Sequence, residues 1–223
     1  RLVRLAIERA KGNLRSIGLA HVDRALEMAR AATGHGRVQA PGIGITRSFD
    51  WIRFAPPQPP PVAWQLPAAI PGQTRAPGAG PGIQVDLLEN PGTDPAPGYV
   101  YNSNVGCIDG HLVSGGLVFR NWRPGDRYQP YGHSNEAKIK ALFHQARIPI
   151  WERAQWPVLA FGGSIVWTRR FGPAQAVAAG PSSTRILQVR EVGRNEKVES
   201  QAGGAASIKK ESGSARRPRS QGG

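Results

Sequence analysis

The stretch RNWRPGDRYQPYGHSNEAKIKALFHQARIPIWERAQW, residues 120–156, decides how the rest of the chain is read. It sets seven basic residues (Arg120, Arg123, Arg127, Lys138, Lys140, Arg147 and Arg153) against three acidic ones, Asp126, Glu136 and Glu152. Aromatic residues interleave with the charges. Arg-Pro-Gly-Asp at 123–126 is a turn sequence, because proline presets φ at the second turn position and glycine takes conformations closed to other residues. Ile148-Pro149 imposes extended backbone on the isoleucine. A solvated basic tail would not carry this punctuation, so the segment reads as a folded basic surface. The spacing of Ile139, Leu142 and Phe143 predicts a helix over 135–146, capped by Ser134 or Asn135, with Lys138, Lys140 and Arg147 outside its apolar stripe.

The whole chain has 223 residues and a formal net charge of +14, a balance that favours a polyanionic partner, either nucleic acid or an anionic membrane surface. Its hydrophobic fraction is only 39%, because 28 Gly and 20 Pro take a large share; part of it is therefore linker or tail rather than core. A single cysteine, Cys107, excludes an internal disulfide framework and a Cys-rich zinc site and fits a reducing cytoplasm. No apolar run approaches the roughly 20 residues that span a bilayer. The opening residues RLVRLAIERAKG are amphipathic and charged, unlike a secretory signal. The chain starts on Arg rather than Met, which leads us to expect a fragment with a segment missing upstream.

Working outward from the basic stretch, residues 1–11 read as a helix with Leu2, Leu5, Ala6 and Ala10 on one face. A second helix is expected over 20–32, opened at or after Ser16, striped by Val22, Ala25, Leu26 and Ala29, and closed by Thr33-Gly34-His35-Gly36. A β-ribbon follows, with strands at 37–40, 43–47 and 51–54 and a Pro41-Gly42 turn. The proline clusters of residues 55–82 mark a linker, with 62–66 as an edge strand. Residues 83–119 hold short strand candidates at 83–88, 99–102 and 112–119. That segment carries four acidic residues and no Lys or Arg, so the positive charge is concentrated elsewhere. A hairpin turning at Gly162-Gly163 joins 157–161 to 165–168. A last strand covers 185–192. The expected architecture is α+β: a helical unit with a ribbon at 1–54, a Pro/Gly-rich linker at 55–82, a compact mostly-β domain with one helix at 83–192, and a disordered basic tail at 193–223.

The order of these elements resembles the C-terminal part of the tRNA(Ile)-lysidine synthetase family. The residues that carry the resemblance are Arg120-Asn121-Trp122-Arg123-Pro124-Gly125-Asp126-Arg127, Gln129-Pro130, Lys138-Ile139-Lys140 with Leu142-Phe143, and Ala146-Arg147-Ile148-Pro149. Trp156-Pro157-Val158-Leu159 and Gly163-Ser164-Ile165-Val166-Trp167 complete the series. Upstream, Ala20-His21-Val22, Pro41-Gly42-Ile43-Gly44 and Arg47-Ser48-Phe49-Asp50 look like the same family's helical linker domain.

The resemblance implies a cytoplasmic ligase, often dimeric, that uses ATP (with Mg expected beside it) to attach lysine to the wobble cytidine of an isoleucine tRNA. Its ATP loop, SGGxDS, is absent from this sequence. Ser114-Gly115-Gly116 is followed by Leu117-Val118, and Gly162-Gly163-Ser164 fails too; both read as turns. ATP and Mg therefore belong to a segment outside this chain, which is left with tRNA binding and no catalytic or metal-binding residue. Arg bridges two phosphate oxygens and Lys supplies a mobile charge. The seven basic residues of 120–156 are the candidate tRNA contacts, with Asp126 closing the turn or orienting Arg127.

Two other readings start from the same residues. One is a stand-alone, non-enzymatic RNA-binding module; the other is a DNA-binding helix–turn–helix at 1–32, whose turn is long and remote from the basic stretch. His21, His111, His133 and His144 show no metal spacing with Cys107. Trp122, Trp151, Trp156 and Trp167 could stack on bases; Trp156 and Trp167 suit a core better, and Trp122 is open.

Overall fold

A computed structural model of the chain describes residues 1–78, 80–89 and 105–193. Two helices, α1 (Leu2–Lys11) and α2 (Leu19–Arg30), cover one face of a three-stranded antiparallel ribbon, β1 (His35–Ala40), β2 (Ile43–Ser48) and β3 (Trp51–Ala55). Ile7, Ala25, Met28, Ile43 and Ile45 form the core between them. The α1 stripe differs from the expected one. Val3, Ile7 and Ala10 face the ribbon, whereas Leu2 is 82% and Leu5 52% exposed. The helix carries two apolar stripes at helical spacing, and only the position of the ribbon chooses between them.

The start of α2 falls just after Ser16, as expected, but its end differs. Gly18 precedes it, and His21 Nδ1 accepts the Gly18 N–H at 3.2 Å. At the other end no glycine closes the helix. Arg47 reaches across from β2, and its Nη1 donates to the carbonyls of Met28 (2.8 Å) and Ala31 (2.7 Å). Those acceptors would otherwise lack partners at a helix terminus. His35 and Gly36 belong to β1, and Gly36 leaves room for Met28, whose Cγ lies 2.5 Å from where a Cβ would stand.

The second unit packs two sheets and a helical layer. One sheet has the order β13 (Gly172–Pro173), β12 (Ser164–Thr168), β11 (Pro157–Phe161), β8 (Val118–Asn121), β4 (Gln65–Pro67). The other runs β5 (Gly72–Arg75), β6 (Gly82–Glu89), β14 (Arg185–Val192), β7 (Val105–Asp109). Side chains alternate across a strand, so β11 serves two cores. Leu159 faces Ile83, Val85, Ile108, Leu187 and Val189 of the other sheet. Val158 faces Ile139, Leu142 and Phe143 of α3 (Ile139–Gln145). The 162–163 turn has both glycines at positive φ, 55° and 85°, the geometry that tight hairpins require.

Several expectations are corrected by this fold. The linker is shorter than 55–82: Trp64 packs on Phe119, the edge strand expected at 62–66 forms as β4 at Gln65–Pro67, and β5, which was not expected, pairs with β6. The strand expected at 112–119 is confined to Val118–Asn121, because Asp109 caps a turn by accepting the His111 and Leu112 N–H groups. The strand at Val105–Asp109 has no counterpart among the expected elements. The helix expected over 135–146 begins only at Ile139 and has no side-chain cap. Residues Ala137–Lys138, β10, are held extended by antiparallel pairing with β9 (Arg127–Tyr128), and the Ile139 N–H donates to the Asp126 carbonyl. A second short helix, α4 (Ile150–Arg153), follows Pro149. The strand expected at 99–102 and the tail beyond 193 lie outside the described residues.

Candidate nucleic-acid interface

The Arg123–Asp126 turn is the anchor of the basic stretch. Gly125 takes φ +98°, the Asp126 N–H donates to the Arg123 carbonyl at 3.0 Å, and the Arg123 N–H returns a bond to Asp126 Oδ2 at 2.7 Å. The Asp126 carboxylate is gripped from below by both terminal guanidinium nitrogens of Arg120, at 2.8 and 3.0 Å. This pair is nearly sequestered, with side-chain exposures of 8% and 14%. Arg120 also donates to the Asn121 carbonyl at 2.9 Å. Its fork is therefore occupied, and the structure places Arg120 under the turn rather than on the surface where a phosphate would meet it. Asp126 closes the turn as expected, but the arginine that it orients is Arg120, not Arg127.

Four of the seven basic residues lie on this turn and the backbone beside it. Arg123 is exposed and touches Gln65 at 2.8 Å. Arg127 forms an exposed pair with Glu136 at 2.7 Å. Lys138 sits directly across the β9–β10 ladder from Arg127. Lys140, on the first turn of α3, is exposed, and neither lysine has a side-chain partner among the described residues. An exposed ion pair contributes only about 0–1 kcal/mol, so exchanging Glu136 for a phosphate on Arg127 costs little.

The other two basic residues stand at the seam between the units. Arg147, at φ +51°, donates to both carboxylate oxygens of Asp50 (2.8 and 2.7 Å) and lies 5.1 Å from the Phe49 ring centre. Arg153 lies 5.6 Å from the same ring and 5.8 Å from that of Phe143. Its Nε and Nη2 hold the Ile148 carbonyl at 2.9 and 2.7 Å. Burial works against its charge and lowers its pKa, and the carbonyl and the ring faces offset that cost.

The residues on the other side of this seam carry part of the family resemblance but no site role in the expectations from sequence. Arg47 caps α2, Ser48 Oγ accepts the Ile150 N–H at 3.1 Å, Phe49 is the ring between the arginines, and Asp50 pairs with Arg147. The visible signal is Arg47-Ser48-Phe49-Asp50 itself, a charged and aromatic run at a two-residue hairpin turn. The ribbon arginines Arg37 and Arg53 also lie outside the expected contacts, although their alternation with Val38 and Phe54 puts them on the face away from the helices.

Three of the tryptophans and three histidines resolve into structural parts. Trp156 and Trp167 are buried, and Trp122 meets Phe143 edge-on at 5.1 Å. His35 and His144 flank Phe49, and His111 bonds Thr184 at 3.0 Å. Among the described residues no three His, Cys, Asp or Glu side chains are grouped as a metal site would group them.

Residues 117–190 match the family model of the TilS substrate C-terminal domain. The chain is 50% identical over 194 residues to a tRNA(Ile)-lysidine synthase of Solibacter usitatus, covering 86% of this chain and 43% of that protein. It is 32% identical over 186 residues to the tRNA(Ile)-lysidine synthase of Symbiobacterium thermophilum, covering 78% and 38%. A solved structure, the crystal structure of a TILS C-terminal domain, matches with a TM-score of 0.52 at 24% identity, covering 60% of this chain and all of that one, and so shows the fold. The chain spans less than half the length of these relatives. With its match to the TilS substrate C-terminal domain at 117–190 and this similarity upstream of it, the chain is similar to the C-terminal part of tRNA(Ile)-lysidine synthases.

Proposed function

We propose that this chain supplies the tRNA-holding part of a ligase that joins lysine to the wobble cytidine of an isoleucine tRNA at the expense of ATP. The observation that carries this reading is the exposed group Arg123, Arg127, Lys138 and Lys140, mounted on a turn that the buried Arg120–Asp126 pair keeps rigid. Double-helical RNA is bound mainly through its shape, phosphates and 2′-hydroxyls, and fixed cations on a rigid β-turn suit that task. Arg147 and Arg153 serve it indirectly, by fixing the helical unit to the β unit. ATP, Mg and lysine are bound by a part of the enzyme outside this sequence, which has no SGGxDS loop. No helix among the described residues is long and apolar enough to cross a membrane, and the reading places the enzyme in the cytoplasm, where tRNA is modified. A homodimer is compatible with it.

The test is filter binding of an isoleucine tRNA to the chain across a salt series. The expected result is an affinity that falls steeply as salt rises, because each neutralised phosphate releases counterions. A flat response would overturn the reading. Incubating the chain with ATP, lysine and tRNA should leave the wobble cytidine unmodified, and any lysidine formed would show that the chain itself carries the chemistry.

A further inference from the structure

We propose that the groove between the ribbon and α4 holds an unpaired segment of RNA, with a base stacked on Trp151 and its phosphates on Arg37 and Arg53. The proposal rests on the tRNA reading above and adds a second, single-strand site to it. Arg37, Thr46 and Arg53 lie in one row across the ribbon, Arg37 opposite Thr46 and Thr46 opposite Arg53. All three line a cavity of about 660 Å³ whose far wall is α4 with Trp151. In the next row, Gln39, Gly44 and Ala55, the Gln39 amide lies over Gly44 and its oxygen accepts from Arg37 Nη2 (2.6 Å) and Nε (3.2 Å), which fixes the guanidinium, while Ala55 keeps the floor beside Arg53 low.

The groove continues. A second cavity of about 540 Å³ shares Arg53, Gln58, Trp151 and Gln155 with the first and runs toward Trp64 and Pro81. Each volume is within the range of about 300–1,000 Å³ typical of ligand sites, and the two in series make a channel longer than a compact ligand needs. Its chemistry is one-sided. No Asp or Glu lines either cavity, and neither Arg37 nor Arg53 has an ion pair among the described residues. Two cations held on one ribbon face with no acidic partner favour an anion between them.

The walls are stiff. Prolines at 56, 57 and 59–61 form one side, and proline has little conformational freedom to lose on binding. Gln155 is held by the Trp64 indole N–H at 2.6 Å. Trp151 is half-buried and lines both cavities, which leaves part of its ring open to the groove. A base can use that open part only when it is unpaired, which is how proteins bind RNA loops and ends. Rigid cations plus an aromatic platform are the components of a single-strand site, whereas the Arg123–Lys140 surface offers cations alone and suits a duplex.

The test compares two labelled probes on the intact chain by fluorescence anisotropy: an unpaired RNA of about eight nucleotides, within the usual size of single-strand sites, and a blunt RNA hairpin. Trp151→Ala should weaken the unpaired probe roughly tenfold, the effect of removing one stacked base, and leave the hairpin within about twofold. Trp151→Phe should recover most of that affinity, and Arg37→Gln with Arg53→Gln should weaken the unpaired probe while leaving the hairpin unchanged. Retained hairpin binding shows that each variant is folded. The groove proposal is overturned if the unpaired RNA does not bind, or if it binds indifferently to the Trp151 and the arginine variants. If the unpaired RNA binds through Trp151 while the hairpin and tRNA fail to bind, the groove stands and the duplex-holding reading falls.

Discussion

The guanidinium of Arg153 stands 5.6 Å from the centre of the Phe49 ring, and through that contact the helical unit is joined to the β unit. Phe49 is an unusual partner. It occupies a two-residue turn at φ +55°, a region that bulky residues rarely enter, and yet it is only 6% exposed. His35, His144, Arg147 and Arg153 all touch its ring, and its N–H donates to the Gly34 carbonyl at 2.6 Å. Such backbone strain persists only where the surroundings over-determine it.

Phe49→Ala should therefore separate the two units more than the removal of any salt bridge nearby. The expected destabilisation is about 3 kcal/mol, as for other buried Phe→Ala changes, with cleavage by protease near 56–63 becoming faster. Arg147→Ala should cost under about 1 kcal/mol, because its pair with Asp50 is open to solvent on both sides. Urea denaturation of the two variants checks the order, and equal costs would contradict it.

Removing Arg120 should be far more damaging than removing its exposed neighbours. Arg120→Ala leaves the Asp126 carboxylate uncompensated inside the protein, which costs about 3–5 kcal/mol. Arg120→Lys should rescue little, since an ammonium cannot span both carboxylate oxygens as the fork does. Thermal unfolding of the two variants provides the measurement.

Arg123→Ala combined with Arg127→Ala should weaken tRNA binding and lower its salt slope by up to about two, one for each phosphate that is no longer neutralised. Lys209→Ala with Lys210→Ala should have the smaller effect. Equal effects would move the affinity to residues beyond 193.

Asp109 should shape the acid limb of the stability curve. Its carboxyl accepts from Ser183 Oγ at 2.6 Å and from the His111 N–H at 2.9 Å, and these bonds, the Ser183 bond first, hold its pKa below the ordinary value. A depressed carboxylate stabilises the fold above its unfolded pKa of about 4, and that contribution disappears as pH falls through that value toward the lower folded one. Ser183→Ala should thus be less stable than the parent at neutral pH, with the gap narrowing in acid. A gap that widens in acid would exclude this assignment.

Cys107 should not behave as a reactive thiol. It is 4% exposed, and burial pushes its pKa up, away from the nucleophilic thiolate. A disulfide reagent should titrate it only after denaturant is added, and rapid labelling of the native chain would contradict the burial.

The sequence by itself determined the local elements whose signals are self-contained. The Gly162-Gly163 hairpin, the ribbon turn at Pro41-Gly42, the strand at 185–192 and the Arg-Pro-Gly-Asp turn all follow from residues that restrict or release φ, and such restrictions act within a few bonds. It also kept Lys and Arg out of 83–119 and put seven of them in 120–156, because charge is a property of composition. Only the tertiary structure decided which stripe of α1 is buried, since Leu2 and Leu5 satisfy helical spacing as well as Val3 and Ile7 do. It ended α2 with Arg47, 16 residues beyond the Ala31 carbonyl that it caps, and it delayed α3 until Ile139 by pairing Ala137–Lys138 with Arg127–Tyr128. It also divided seven arginines and lysines of similar sequence context into one buried under a turn, four on the surface and two at a seam. Burial, pairing and strand register depend on partners distant in the chain, and a list of residues does not contain those distances.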